Sequence, residues 1–223
     1  MDESKLAILG LGSRSTTFYI HELNRLFNQR HGGYSTFPFK LLNTNFNKIN
    51  PLLPNTSSAL DKVMQTYLSA LEKWDSQNIL IPNITLHETI DRLKVSTPII
   101  HPIQLIIQEL QNQKINQIVI LGSLYSMQSN YISSKLTTIG IKVTLPKDDE
   151  MKFLDSFRKN VYDSLETTSD IKKYHDIILK YQELSTVVIA CTELSIHCPK
   201  NTSNVLDLAT LQISKAVRLI VKS

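Results

Sequence analysis

The chain has 223 residues, of which 42% are hydrophobic and 20% are charged, with a formal net charge of +4 at pH 7. This composition is typical of a globular protein, and the length suits one large domain or two lobes of about a hundred residues each. The basic residues form no run, so we expect no nucleic-acid partner. No apolar run is long enough to span a membrane and the charged start fits no signal peptide, so we expect no membrane partner and a cytoplasmic location.

Cysteine usage narrows the chemistry further. Cys191 and Cys198 are the only two cysteines, which is too few for a disulfide framework and gives no cluster typical of a zinc site. We therefore expect reduced thiols in a reducing compartment and no bound metal.

Apolar runs separated by polar turns predict the elements of the fold. The strongest runs predict buried parallel strands at 6–9, 78–81, 117–121 and 186–190, with weaker candidates at 39–42, 98–100 and 142–145. Helical patterns lie between them at 17–28, 57–73, 87–93, 104–111, 127–139, 152–165, 170–183 and 209–221. Strands and helices alternate throughout, which predicts an α/β fold with parallel sheets.

Four predicted strands end in short turns that carry a hydroxyl, an amide or a thiol. The turns begin after Leu9, Ile81, Leu121 and Ala190, so that two come from each half of the chain. Ligands bind at the carboxyl ends of strands in open α/β sheets, and two facing lobes would place all four turns around one cleft. The alternative is that these are four ordinary connections between strands and helices.

The turn after the last strong strand carries the most reactive side chain. The run 187–190 delivers Cys191 at the carboxyl end of its strand, followed by Thr192 and Glu193. A thiol in that position is a candidate nucleophile or proton shuttle. The alternative is a small buried hydrophobic residue, a common role for free cysteine. Glu193 could orient the thiol or a substrate amine, or could be a surface carboxylate.

Other turn residues suit a small carboxylate ligand. The hydroxyls of Thr85, Ser123 and Thr192 stand where helices are predicted to start, a position that favours anions and is compatible with helix capping. Arg14 could grip a substrate carboxylate, and the weaker alternatives are Lys48 and Arg92.

A histidine and a pair of glycines are further candidates at these turns. His87 opens a predicted helix, where it could act on a substrate or simply pack. The pair Gly10 and Gly12 follows the first strand but lacks the third glycine and the downstream acid of a dinucleotide-binding motif, so we expect no cofactor of that kind.

Four blocks of the sequence resemble the aspartate/glutamate racemase family of amino-acid racemases. They are 8–16 (ILGLGSRST), Gly122-Ser123 with Met127 and 140–146, 191–194 (CTEL), and 206–215. The block that contains Cys191 is the specific one, and the other three support it collectively because they occur in the same order.

The resemblance implies two flavodoxin-like lobes with parallel sheets, related by a pseudo-two-fold axis, with the active site in the cleft between them. The N-terminal lobe would comprise 1–98, completed by 207–223, and the C-terminal lobe 99–206. It also implies a homodimer that works without a cofactor on a small carboxylate-bearing amino acid. The implied substrate-binding residues are Gly10, Arg14, Thr16, Thr85, His87, Ser123, Thr192 and Glu193.

The chain departs from the family in the first catalytic block, which there reads cysteine-asparagine-threonine-x-histidine. Residues 83–87 read NITLH, so Asn83 stands in the cysteine slot while Thr85 and His87 are kept. In the family, two cysteines act on opposite faces of the substrate α-carbon. An amide does not titrate near neutral pH, so Asn83 cannot shuttle a proton and Cys191 would be the one remaining thiol. Gln212 stands where the family often has histidine.

Three functions therefore stay open from the sequence. The first is an isomerase that abstracts and returns the α-proton of an acidic amino acid, with Cys191 as its acid–base group. The second is a decarboxylase that needs only one thiol as proton donor. The third is a ligand-binding relative whose catalysis is impaired. The sequence assigns no role to His197 or Cys198.

Overall fold

The computed structural model describes residues 5–200 and 202–221 and divides into two compact units. The first unit runs to His101 and includes the segment from Gln212 onward, and the second is Pro102–Leu211. Each unit has its own parallel β-sheet with helices. The predicted α/β class with parallel sheets is thus confirmed.

The sheet of the first unit has its earliest strand in the centre. Strand β1 (Leu6–Gly10) lies between β2 (Lys40–Asn43) and β3 (Asn78–Leu80), and both pairings are parallel. A parallel bridge joins Ile79 to Ile99 at the outer side of β3. Counting that bridge as a fourth position, the order is 2-1-3-4, which is the start of a flavodoxin-like sheet.

Helices α1 (Ser13–His31), α2 (Ser58–Glu72) and the single turn α3 (His87–Ile90) belong to the first unit. The α2 sequence shows why this segment folds as a helix. Its buried residues Leu60, Met64, Leu68 and Leu71 recur every three or four positions and pack in one core cluster with β1 and β3. The hydroxyl of Ser57 accepts a hydrogen bond from the Leu60 N–H and caps the helix.

The sheet of the second unit repeats the same order. Its strands are β4 (Gln117–Gly122), β5 (Lys142–Thr144), β6 (Thr186–Ala190) and β7 (Val205–Asp207). They pair in parallel as β5-β4-β6-β7, which is again 2-1-3-4 when the four are numbered along the chain. Strands β4 and β6 are almost entirely buried because they occupy the two central positions.

The second unit carries α4 (Pro102–Asn112), α5 (Leu124–Gln128), α6 (Asn130–Thr137), α7 (Asp148–Asp163), α8 (Thr168–Gln182) and α9 (Thr192–Ile196). The last helix, α10 (Leu208–Val221), starts in this unit and continues into the segment assigned to the first.

Several predicted elements need correction. The helix expected at 127–139 is two helices, because the backbone of Ser129 is extended between α5 and α6. Strand β7 was not predicted, since three residues are too short to show a period. The strand expected at 98–100 is reduced to the bridge at Ile99, and the helix expected at 87–93 is one turn. Helix α1 begins four residues earlier than expected, at Ser13, with Gly12 as its N-cap.

Candidate active site

In the first unit, two candidate turns leave neighbouring strands at the same edge of the sheet. Gly10 ends β1, and a side chain there would place its Cβ 2.6 Å from Asn43 Oδ1, so only glycine fits without displacing its neighbour. Its carbonyl accepts hydrogen bonds from the N–H and the hydroxyl of Thr44, at 3.0 and 2.9 Å. The end of β1 is therefore held rigidly against β2.

The start of α1 places Arg14 and Thr16. Thr16 is buried, and its hydroxyl accepts a hydrogen bond from the Leu11 N–H at 3.0 Å. That contact fastens the turn between β1 and α1. Arg14 is half-buried in the first turn of the helix.

Asn83 uses its N–H, its carbonyl and its amide oxygen within its own turn. Its N–H donates to the Ile81 carbonyl at 2.8 Å, and its Oδ1 accepts from the Leu86 N–H at 3.0 Å. Its carbonyl lies 2.8 Å from His87 Nδ1. The amide oxygen thus caps the turn that leads into α3, and the half-buried Thr85 lies inside that turn.

His87 is completely buried and braces this turn. A carbonyl can only accept, so Nδ1 carries the proton that is donated to Asn83, and Nε2 is the unprotonated nitrogen. The His101 ring packs edge to face at 4.7 Å. Burial lowers the pKa of His87 to about 3, with a smaller contribution from His101, so the imidazole is neutral at physiological pH.

In the second unit, Ser123 and Cys191 follow strands that are paired side by side. Gly122 is in register with Ala190, and a Cβ on Gly122 would lie 2.9 Å from Ser126 Cβ and 3.2 Å from the Ala190 carbonyl. The buried Ser123 accepts a hydrogen bond from the Ser126 N–H at 3.0 Å and caps α5. Strand pairing therefore brings the Ser123 and Cys191 turns together.

Cys191 and Glu193 form a thiol–carboxylate pair at the carboxyl end of β6. Cys191 Sγ donates to Glu193 Oε2 at 3.1 Å, and the Thr192 hydroxyl donates to the same oxygen at 3.2 Å. Cys191 is 7% exposed. Two donors converge on one carboxylate oxygen, which makes Glu193 the local acceptor for the thiol proton.

The surroundings keep this thiol protonated. Burial raises the pKa of Cys191 well above its ordinary value, and the negative charge and hydrogen bond of Glu193 raise it further. The positive charge of Arg158 acts in the opposite direction. Cys191 is therefore a neutral thiol at pH 7, and forming its thiolate requires transfer of the proton to an acceptor.

Sequence reasoning missed three residues that support this turn. The Ser195 hydroxyl lies within hydrogen-bonding distance of the Cys191 carbonyl, and the Asp207 carboxyl group contacts that hydroxyl. Arg158, on α7, donates from Nε to Asp155 Oδ1 at 2.8 Å and is the cation that acts on the thiol. Asp207 could have been noticed because it precedes a predicted helix and has a threonine three positions later, a pattern typical of a helix cap.

The remaining candidates have other partners. Arg92 pairs with Asp61, and His197 Nε2 lies 3.0 Å from Glu166 Oε1. Burial and the negative charge of Asp207 raise the pKa of Cys198 to about 12.

Gln212 is fully buried within the first unit. It accepts a hydrogen bond from the Tyr19 hydroxyl at 2.6 Å and donates to the Ile100 carbonyl at 2.7 Å. These contacts give it a structural role between α1 and the segment after β3.

The described residues form neither a metal-binding cluster nor a membrane-spanning helix. Residues 5–200 and 202–221 contain no group of three or more His, Cys, Asp or Glu side chains arranged to hold a metal ion. Within the same ranges, no helix has both the length and the apolar character that crossing a bilayer requires.

Comparison with known protein families identifies the class to which these two α/β units belong. The Asp/Glu/hydantoin racemase family profile matches residues 8–220. The chain therefore belongs to the Asp/Glu/hydantoin racemase family. No curated protein sequence matches it significantly.

Solved structures share the fold. A Yersinia pestis protein described as a candidate Asp/Glu racemase is 19% identical and superposes with a TM-score of 0.82, over 98% of this chain and 99% of that one. The aspartate racemase homologue PH1733 from Pyrococcus horikoshii OT3 is 19% identical with a TM-score of 0.79, over 98% and 99%. The aspartate racemase of Picrophilus torridus is 16% identical with a TM-score of 0.78, over 97% and 94%.

Proposed function

We propose that this racemase-family member is an isomerase of acidic amino acids that moves the α-proton with Cys191 as its acid–base group. The observation that carries the proposal is the 3.1 Å contact between Cys191 Sγ and Glu193 Oε2 at a buried strand end. A carboxylate acceptor beside a buried thiol suits proton transfer at carbon, because the thiolate is the base.

The proton transfers need no group beyond Cys191, Glu193 and water. Glu193 accepts the Sγ proton, and the resulting thiolate takes the α-proton of the substrate, whose electron pair is delocalised into its carboxylate. For exchange, the Cys191 thiol returns a proton to the same face, and the thiolate regains a proton from Glu193. For inversion, water donates a proton to the opposite face, and the hydroxide that remains takes the proton held by Glu193. Asn83 has no titratable group, so we expect inversion to be slower than exchange on the Cys191 face.

Solvent exchange tests this proposal directly. Proton NMR in deuterium oxide would follow the α-proton of L- and D-aspartate, L- and D-glutamate and a 5-substituted hydantoin, since the family name includes hydantoins. Wild type should exchange one enantiomer faster than the other. Cys191→Ala should lose exchange by about 10²-fold or more, the usual loss when an acid–base group is removed.

Cys198→Ala is the matched control, since Cys198 is the other free thiol and lies outside the Glu193 contact. Retained exchange in Cys191→Ala, or loss of exchange only in Cys198→Ala, would contradict the assignment. Equal and rapid exchange of both enantiomers by wild type would contradict the view that Asn83 leaves one face without a base.

A decarboxylase is the second candidate, because the protonated state of Cys191 also suits a group that only donates a proton. In that case deuterium would enter only the decarboxylated product, and carbon dioxide would be released. A ligand-binding relative would show neither reaction, although ligand would raise its melting temperature. The homodimer implied by the family resemblance and the cytoplasmic location expected from the sequence stay predictions.

A further inference from the structure

The carbonyl of Cys191 is held more firmly than an ordinary helix start requires. It accepts from the Ser195 N–H at 3.1 Å, the normal contact of a first helical turn, and the Ser195 hydroxyl lies at 3.1 Å from the same oxygen. Helix α9 has only five residues, so it contributes little intrinsic stability of its own. A second bond to the same carbonyl therefore matters more here than in a long helix.

Ser195 is itself held by a residue from another strand. Its hydroxyl also lies 2.6 Å from Asp207 Oδ1, and Asp207 ends β7, the strand paired beside β6. Both side chains are buried, at 5% and 8% exposure. A short contact between a buried hydroxyl and a buried carboxyl group is among the stronger hydrogen bonds in proteins.

The two contacts of the Ser195 hydroxyl, with the Cys191 carbonyl and with Asp207, depend on each other. The Ser195 hydroxyl has one hydrogen but lies within hydrogen-bonding distance of two acceptors. Burial raises the pKa of Asp207. When its carboxyl is protonated, Asp207 can donate to Ser195 Oγ, and the Ser195 hydrogen is then free for the Cys191 carbonyl.

Asp207 is otherwise occupied by the start of α10. Its Oδ2 accepts from the Thr210 N–H at 3.1 Å and from the Thr210 hydroxyl, and its Oδ1 accepts from the Ala209 N–H at 3.3 Å. These contacts fix the carboxyl group in place, so Ser195 is anchored to a rigid point outside its own helix.

The first unit contains the same arrangement. The carbonyl of Asn83 is bonded by the side chain of His87, also four residues further along, and His87 packs against His101 from outside its own helix. In both units the residue in the candidate catalytic position thus has its carbonyl held by a buried side chain at the fourth position after it. The same contact occurs at exposed helix positions such as Thr17, Thr66 and Thr138. Ser195 and His87 differ because they are buried and each contacts a second residue outside its own helix.

We propose that Ser195 and Asp207 are a positioning pair that fixes the Cys191 carbonyl and thereby the direction of its thiol. Neither residue touches the proton being transferred. The inference rests on the proposed function only in taking Cys191 as the group that moves that proton. The pair holds Sγ against Glu193 because rotation of the Cys191 peptide would displace both its carbonyl and its side chain.

The test compares Ser195→Ala with Ser133→Ala, both in a Cys198→Ala background that leaves one thiol. Ser133→Ala also removes a serine hydroxyl that bonds the carbonyl four residues before it, the Ser129 carbonyl at 3.2 Å, but it leaves Asp207 and the Cys191 carbonyl contacts intact. Glu193, Arg158 and Tyr174, which also influence the thiol electrostatically, are unchanged in both variants. The readouts are the pH profile of Cys191 alkylation by iodoacetamide, the free energy of unfolding, and kcat and KM for α-proton exchange.

Ser195→Ala should lower kcat by about tenfold or more with little change in KM, since small displacements of a reacting group are costly. Its alkylation at pH 8 should be about threefold faster or more, because a less buried thiol has a lower pKa. Ser133→Ala should change neither quantity, and Ser195→Thr should keep both near the wild-type values because it keeps the hydroxyl.

Equal effects of Ser195→Ala and Ser133→Ala on kcat and alkylation would overturn the proposal, since they would indicate general destabilisation. Unchanged alkylation and kcat in Ser195→Ala would also overturn it. If the wild type exchanges no α-proton, the proposed function fails, and the alkylation profiles alone then decide whether Ser195 positions the thiol.

Discussion

Glu193 acts on Cys191 in two opposing ways. Its charge and its hydrogen bond raise the thiol pKa, which makes the thiolate scarcer, yet in the proposed reaction the same carboxylate is the acceptor through which the thiolate forms. A racemase base needs a proton acceptor more than a low pKa, because a strongly basic thiolate removes a weakly acidic α-proton more readily.

Glu193→Gln should separate these two effects. Loss of the negative charge should lower the pKa of Cys191, so alkylation by iodoacetamide should begin at lower pH than in wild type, where it requires pH values well above the ordinary thiol range. Exchange of the α-proton should nevertheless slow by about 10²-fold or more, since the acceptor is gone.

Glu183→Gln is the control for that experiment, because Glu183 is an exposed glutamate at the end of α8. It should alter neither the alkylation profile nor exchange. Slower alkylation in Glu193→Gln than in wild type would contradict the electrostatic account of the thiol.

The pairing of β4 with β6 determines how closely the two turns of the second unit approach. Gly122 and Ala190 are register partners, and the strands meet there with no space for a side chain on Gly122. The tight approach of these two strands is therefore a structural requirement of the candidate site.

Gly122→Ala tests that requirement. The added Cβ would lie 2.9 Å from Ser126 Cβ and 3.2 Å from the Ala190 carbonyl, so α5 or β6 must shift. We expect a loss of about 1–3 kcal/mol in the free energy of unfolding, measured by urea denaturation, as for other overpacked interiors. We also expect slower α-proton exchange, because Ser123 and Cys191 would move apart.

An unchanged denaturation midpoint in Gly122→Ala would show that the strands can separate without cost. In that case the spacing of Ser123 and Cys191 would not depend on this glycine.

The two units share the strand order 2-1-3-4. In each unit a buried side chain bonds the carbonyl of one residue that follows a strand, Asn83 in the first and Cys191 in the second. In the first unit that side chain is His87, which is buried and neutral, with its pKa lowered to about 3. A neutral buried histidine contributes to the dependence of folding stability on pH, because the unfolded chain binds a proton that the folded chain excludes.

The direction of this pH effect follows from the number of protons that each state binds. Between the unfolded pKa near 6.5 and the folded value of about 3, the unfolded state binds more protons, so acidification favours unfolding across this range. The free energy of unfolding of wild type should fall from pH 6.5 towards pH 3. His87→Gln should show a shallower fall, since its amide does not titrate but can still donate to the Asn83 carbonyl.

Urea denaturation at several pH values checks this prediction, and His21→Gln is the matched control because His21 is exposed. Parallel curves for wild type and His87→Gln would contradict it, because some other group would then be responsible for acid sensitivity.

The class of fold and the position of the thiol follow from the sequence alone. The runs at 6–9, 117–121 and 186–190 are buried central strands, as their nearly continuous apolar character predicts for strands that are covered on both faces. The same pattern placed Cys191 at a strand end. The short strand β7 was missed because three residues are too few to show a period.

The surroundings of the candidate site residues follow only from contacts in the folded chain. Sequence spacing could not show that Asp207 supports Ser195, that Arg158 acts on Cys191, or that His87 is fully buried. Those outcomes depend on which strands are neighbours and on how much water each side chain loses, and both are set by contacts between residues far apart in the chain. The chemistry of Cys191 is decided there, because burial and neighbouring charges control the pKa of a thiol.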